Sequence, residues 1–114
     1  MAYEKLIVWK RAKTLTVEIY KHLEKCRDFG FKDQITRSAL SIPSNIAEGY
    51  ERASPKEFAN FLNYAKGSCG ELRTQIYIGL EINYIEQTVA TRWLKETAEI
   101  SRMLASFIKT KKNK

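Results

Sequence analysis

The stretch Gln34-Ile35-Thr36-Arg37-Ser38-Ala39-Leu40-Ser41-Ile42-Pro43-Ser44-Asn45-Ile46-Ala47-Glu48-Gly49-Tyr50-Glu51-Arg52 decides the fold. Apolar or small residues recur at Ile35, Ala39, Ile42, Ile46 and Gly49, at steps of four, three, four and three. That spacing is one face of an α-helix. Pro43 stands inside it. An interior proline removes a backbone hydrogen bond, presses on the carbonyl four residues back (Ala39) and costs ~3 kcal/mol. It also disfavours helical geometry at the preceding Ile42. Two courses are open. The helix stops near Ser41 and restarts with Asn45 as cap and Glu48 three residues on, a capping-box spacing. Alternatively, one helix runs through with a kink. The apolar phase is unbroken across Pro43, so the kinked helix is the favoured expectation. Ser38 and Ser41 are placed to bond carbonyls freed by the proline. Asn45 and Glu48 are candidates for contact with another helix.

Outward from this stretch the helical pattern covers the whole chain, which holds only two prolines and five glycines. Helix 1 is expected over about residues 5–26, with Val8, Trp9, Ala12, Leu15, Ile19, Tyr20 and Leu23 on one arc, a stripe wide enough for a globular core. Its other side reads Lys10, Arg11, Thr14, Glu18, Lys21, His22, Lys25. That side is either a solvated face or a rail that neutralises phosphates. Arg27-Asp28-Phe29-Gly30-Phe31 is the first turn, with Gly30 as its left-handed residue. Helix 2 is expected over 32–52. Helix 3, over 55–82, has the clearest start, Ser54-Pro55-Lys56-Glu57: a serine cap, proline at the first helical position and glutamate at the third. Helix 4 is expected over 86–109, with Val89, Trp93, Thr97, Ile100, Leu104, Phe107 and Ile108 as its core arc and Glu96 within that arc. A basic tail, 110–114, closes the chain.

Helix 3 is apolar on two sides. Phe58, Phe61, Leu62, Ala65, Cys69, Leu72, Ile76 and Leu80 form one line, and Tyr64, Gly67, Ile78 and Ile82 lie roughly opposite. From Gly67 to Leu80 the only charges are Glu71 and Arg73. A helix apolar on two sides is buried on two sides, and a four-helix monomer covers one. Tyr64, Gly67, Ile78 and Ile82 are therefore candidate oligomer-interface residues. Gly67 and Gly70, each disfavoured in a helix interior by ~1 kcal/mol, permit close helix approach.

The chain has 114 residues, the length of one domain. Twenty Lys and Arg against thirteen Asp and Glu give a net charge of +7, which favours an acidic partner such as nucleic acid. The candidate phosphate contacts are Lys10, Arg11, Lys21 and Lys25, with Lys109, Lys111 and Lys112 at the other terminus. No apolar run reaches membrane-spanning length, and the first residues do not resemble a secretory signal, so a cytoplasmic protein is expected. Cys26 and Cys69 are far apart in sequence, without metal-type spacing. No catalytic constellation is recognisable. The single histidine, His22, has Glu18 one turn before it, the spacing of a surface pair. Cys69 lies on a core line. Neither a cofactor nor a metal is expected, and the chain reads as a non-enzyme.

Leu6-Ile7-Val8-Trp9-Lys10-Arg11-Ala12, Ser41-Ile42-Pro43-Ser44-Asn45-Ile46-Ala47-Glu48-Gly49-Tyr50, Ser54-Pro55-Lys56-Glu57-Phe58 and Ala65-Lys66-Gly67-Ser68-Cys69-Gly70-Glu71-Leu72 together resemble the four helix bundle protein family. Its members are also called S23 or 23S ribosomal RNA intervening-sequence proteins. The resemblance covers nearly the whole chain, with Pro43, Asn45, Glu48 and Gly49 in its most specific run; Cys69 and Gly70 depart from the small or apolar residues common there. It implies an all-α, antiparallel up-down four-helix bundle and a ring-shaped homopentamer. The accessory protein of diversity-generating retroelements is similar in fold, basic and pentameric, and binds nucleic acid and a reverse transcriptase. Two functions follow as expectations: an oligomer binding RNA or DNA backbone with low sequence specificity, or a protein scaffold that recruits an enzyme such as a reverse transcriptase. The resemblance carries no catalytic residues.

Overall fold

The computed structural model describes Tyr3 and residues 6–112. Four helices follow one another: α1 (Ile7–His22), α2 (Phe29–Tyr50), α3 (Pro55–Glu81) and α4 (Gln87–Lys112). At 1.5 Å per residue α3 is ~40 Å long. It therefore lies along the 45 Å axis of a body only 21 and 19 Å across, and short connections make successive helices antiparallel. Neighbours pack in the order α1, α2, α3, α4 and back to α1. Hence α1 lies diagonally across from α3. The α1–α4 pair is the most loosely packed of the four.

The expected core arcs meet in the middle. Ile19, Ile35, Ile42, Ile46, Leu62, Leu72, Ile76, Trp93, Ile100 and Leu104 are fully buried, each such side chain worth ~1.5–3 kcal/mol of burial. Trp9, Phe61, Leu80, Val89 and Phe107 are only partly buried, and Tyr20 is exposed.

Helix boundaries shift where a local cap outweighs periodicity. Helix α1 stops at His22, earlier than expected, and 23–25 form a turn. Helix α2 begins at Phe29 because the Asp28 carboxylate accepts a hydrogen bond from Phe31 N at 3.1 Å, the role aspartate plays at a helix N-cap. Gly30 therefore lies inside α2. The expectation of a left-handed Gly30 is corrected: among the described residues no glycine has positive φ. The left-handed residue is Asn83, at φ 65°. There Tyr84 N donates to Gly79 O at 2.8 Å and Asn83 N to Leu80 O at 3.2 Å, the paired bonds of a Schellman stop with asparagine in the usual glycine position. The Ser54 cap forms as expected, accepting from Glu57 N at 3.1 Å. The expected tail is helical through Lys112; residues 113 and 114, and the expected first turn of helix 1 at residue 5, lie outside the described residues.

At Pro43 the chain takes the continuous course: α2 is unbroken from Phe29 to Tyr50. A restart capped by Asn45 is ruled out, because the Asn45 amide donates back to Ser41 O at 2.8 Å. Nor do serines reach the carbonyl that the proline strips of its donor. The Thr16 hydroxyl on α1, itself buried, lies 3.0 Å from Ala39 O and 2.8 Å from Ala12 O. A buried carbonyl without a donor costs ~1–3 kcal/mol, so Thr16 supplies from a neighbouring helix what Pro43 cannot. We expect Thr16→Val to destabilise the protein by ~1–3 kcal/mol, and by clearly less in a Pro43→Ala background, where residue 43 regains its own N–H. A denaturant double-mutant cycle reads this coupling. Equal costs in both backgrounds would sever Thr16 from the proline.

Gly49 marks where the end of α2 crosses the start of α3. A Cβ built there would sit 2.7 Å from Phe61 Cβ and 2.9 Å from Phe58 Cδ1. Glu48, by contrast, points outward and pairs at 2.6 Å with Arg52, just beyond the end of α2.

Candidate nucleic-acid and subunit interfaces

Among the described residues the ion-paired cations are Arg11, Arg37, Arg52 and Arg92, while Arg27 and Arg102 make no ion pair. Arg11 reaches from α1 to α4, where its guanidinium bonds Glu96 at 2.6 and 2.9 Å and also takes Glu99. Met103 Sδ accepts a further bond at 3.7 Å. The hydrogen bond to Glu96 is the main cause raising the Arg11 pKa, and the bond from Arg11 holds the Glu99 carboxyl below its ordinary range. This cluster ties down the loosely packed α1–α4 seam and explains a glutamate within the core arc of α4. It also corrects the placing of Arg11 among the phosphate contacts: two carboxylates already hold its charge.

Arg92 pairs with Glu18, and the Trp93 indole N–H lies 3.4 Å from the same carboxylate. The Arg92 hydrogen bond is the main cause lowering the Glu18 pKa. Glu18 thus serves α4, not His22, whose ring stacks edge-on to Trp93 at 5.2 Å. Arg37 pairs with Asp33 at 2.9 Å. Arg73 donates to Leu94 O, and to Thr97 Oγ1 at 3.1 Å, binding α3 to α4.

Lysines behave differently. Among the described residues every ion pair belongs to an arginine, and no lysine has a carboxylate partner. Lys10, Lys21, Lys25, Lys109 and Lys112 are exposed. Lys111 is half-buried, its ammonium 5.4 Å from the ring centres of both Phe58 and Phe107. The seven candidates do not converge on one spot. Lys10 and Lys21 share the crest of α1, Lys25 lies beyond its end, and Lys109–Lys112 close α4. Near them, Lys56 joins Lys111 and Lys112 in lining a concavity of about 580 Å³ at the start of α3, a residue that sequence reasoning did not single out.

The outer face of α3 is bare. Tyr64 is 58% exposed, Ile78 48% and Ile82 44%, with Tyr77 beside them at 48%. Gly67 and Gly70 are exposed, and a Cβ at either would meet nothing within 4 Å. Packing inside the bundle therefore does not require glycine at either position. Cys69, on the inward side, is buried, and burial pushes its thiol up to about 12, the state of an inert core cysteine. Among the described residues no group of three metal-ligating side chains gathers, and no helix is long and apolar enough to cross a membrane.

These features define an all-α four-helix bundle with unpaired surface lysines and one uncovered apolar helix face. The chain belongs to the 23S rRNA-intervening sequence protein family, whose sequence model matches residues 4–106. A solved structure from Bacteroides thetaiotaomicron, a protein of unknown function from the S23 ribosomal protein family, is 29% identical. The match covers 90% of this chain and 99% of that one, with a TM-score of 0.84. No curated protein matches the chain.

Proposed function

We propose that this chain is a non-enzymatic, oligomeric, cytoplasmic protein that binds RNA or DNA backbone with low sequence specificity, in association with 23S rRNA intervening sequences. The family description points to that RNA. The observation that carries the reading is the surplus of unpaired cations: among the described residues four arginines take every ion pair, and no lysine has a carboxylate partner. Lys10, Lys21, Lys25, Lys109, Lys111 and Lys112 are the contacts, each a point charge suited to phosphate without reading bases. One copy binds weakly. Copies joined through Tyr64, Gly67, Ile78 and Ile82 present the same lysines repeatedly, and linked weak contacts add by avidity. A ring-shaped homopentamer and a bend of α2 at Pro43 belong to this proposal.

The test is affinity for single-stranded RNA and DNA by fluorescence anisotropy between 50 and 200 mM salt, conditions over which phosphate-dominated binding falls steeply. We expect the triple change Lys10→Gln, Lys21→Gln, Lys25→Gln to weaken binding to all sequences alike. It should flatten the salt slope by about 2 per copy engaged, at ~0.7 per lost contact on single strands. Binding that ignores salt, or none at low salt, overturns the reading. Partners that co-purify equally after nuclease treatment would favour a scaffold recruiting an enzyme instead.

A further inference from the structure

Three lysines without carboxylate partners converge on one hollow. Lys56, in the first turn of α3, and Lys111 and Lys112, in the last turn of α4, line the concavity of about 580 Å³ where those two helix ends meet. Lys56 and Lys112 are exposed. Lys111 is pinned: its ammonium lies 5.4 Å from the ring centres of Phe58 on α3 and Phe107 on α4. An aromatic face attracts an ammonium without neutralising it, so Lys111 is held in place with its charge intact. Asn60 adds an amide to the lining, and among the described residues no carboxylate is part of it.

The backbone at the start of α3 contributes little. Pro55 has no N–H, Glu57 N donates to Ser54 Oγ at 3.1 Å, and Phe58 N donates to Ser54 O at 3.1 Å. The positive character of the hollow is therefore built by side chains from two helices. Three ammoniums on one wall repel one another, and the ligand that offsets this best concentrates more than one negative charge in a small volume. A phosphate inside a strand carries a single charge and continues into sugar on both sides. A terminal phosphate monoester carries about −1.5 to −2 at neutral pH, with three strong acceptor oxygens, and continues on one side only. The hollow also falls within the ~300–1,000 Å³ typical of sites for one small molecule, the scale of a single terminal nucleotide.

We infer that this concavity receives the terminal phosphate of a nucleic-acid strand. Lys111 is the fixed cation, Lys56 and Lys112 reach the phosphate from opposite helices, and the Asn60 amide offers a neutral donor. The inference rests on the backbone binding proposed above and adds to it a preference for strand ends. Lys56 is the residue that separates the two, because it lies outside the set of backbone contacts.

The experiment is fluorescence anisotropy on the full chain at about 50 mM salt, where phosphate contacts are strong. One RNA sequence with an internal dye is compared in three forms: 5′-phosphate, 3′-phosphate, and hydroxyl at both ends. A phosphorylated form is expected to bind about five-fold tighter than the hydroxyl form, the scale of one or two exposed ion pairs; which form does so identifies the end. Lys56→Gln, with helical circular dichroism unchanged, should bring that ratio close to one, whereas the hydroxyl form, which lacks the group the hollow takes, changes far less. The triple change Lys10→Gln, Lys21→Gln, Lys25→Gln should weaken all three forms and leave the ratio standing. Equal wild-type affinity for the three forms, or a preference that survives Lys56→Gln, overturns the terminal-phosphate site and leaves backbone binding in place. Absence of binding by every form overturns the backbone reading, and this inference with it.

Discussion

Gly49→Val should cost the protein a large part of its stability. The Cβ it introduces would lie 2.7 Å from Phe61 Cβ, 2.9 Å from Phe58 Cδ1 and 3.3 Å from Phe58 O. The nearest of these atoms is bonded to the α3 backbone, so no rotamer change clears it. The end of α2 must then lift off the first turns of α3, and Phe58 and its edge-on contacts with Tyr50 and Phe107 move with it. Overpacking of this kind costs ~1–3 kcal/mol; with backbone in the way and two further methyls on valine, the upper end applies. That is a sizeable share of the ~5–15 kcal/mol that holds an ordinary domain together. In a thermal scan the expected fall in Tm is roughly 10 °C. Gly30→Ala is the control. Gly30 is exposed inside α2, its added Cβ meeting nothing closer than Asp28 Oδ1 at 3.7 Å, so replacement there should hold or raise stability by ~0.5–1 kcal/mol. Equal melting of Gly49→Val and wild type would remove the close crossing.

The Gly49 crossing shows where the sequence was readable and where it was not. Its phase on the α2 stripe placed Gly49 on the buried side, because periodicity is local. That a second helix passes close enough to exclude a methyl depends on Phe58 and Phe61, and nothing in the spacing of either segment announces it. Capping at Ser54 was legible for the same local reason, since donor and acceptor are three residues apart. Asp28 carried an equally local signal, but Gly30 two residues on suggested a turn and masked it. Long-range polar contacts were hidden. The Thr16–Ala39 bond, the Arg11 cluster and the Arg73 anchor join different helices, so each residue read separately as a helix interior or a surface charge. That hidden pairing also changed the candidate interface: basic residues look alike in sequence, and only the fold reveals that Arg11 is held by Glu96 and Glu99 while no described lysine has a carboxylate partner. The doubly apolar character of α3 was legible, because it needed only one helix and the count of surfaces a bundle can cover.

Ile78→Asp is expected to dissociate the assembly while leaving the fold intact. Ile78 is 48% exposed on the outer face of α3, so an aspartate there remains in water in the isolated chain. In the assembly it would be carried into an apolar contact, where burying an unpaired carboxylate costs several kcal/mol. Each contact in the assembly carries the same charge. Light scattering should report 13.2 kDa, with helical circular dichroism and melting close to those of the wild-type protomer. Ile76→Asp, two residues away, is the contrast: Ile76 is fully buried, and the same carboxylate there should unfold the chain. The pair separates an interface residue from a core residue on one helix. Dissociation should also reach function. A monomer keeps Lys10, Lys21 and Lys25 but presents them once, so its affinity for single-stranded RNA should fall by ten-fold or more, since avidity contributes ~10²–10⁴ where geometry permits. Its salt slope should fall as well, because fewer phosphates are contacted per complex. An assembled Ile78→Asp protein would take this residue out of the contact, whereas a monomeric one that bound RNA as tightly as wild type would separate self-association from binding.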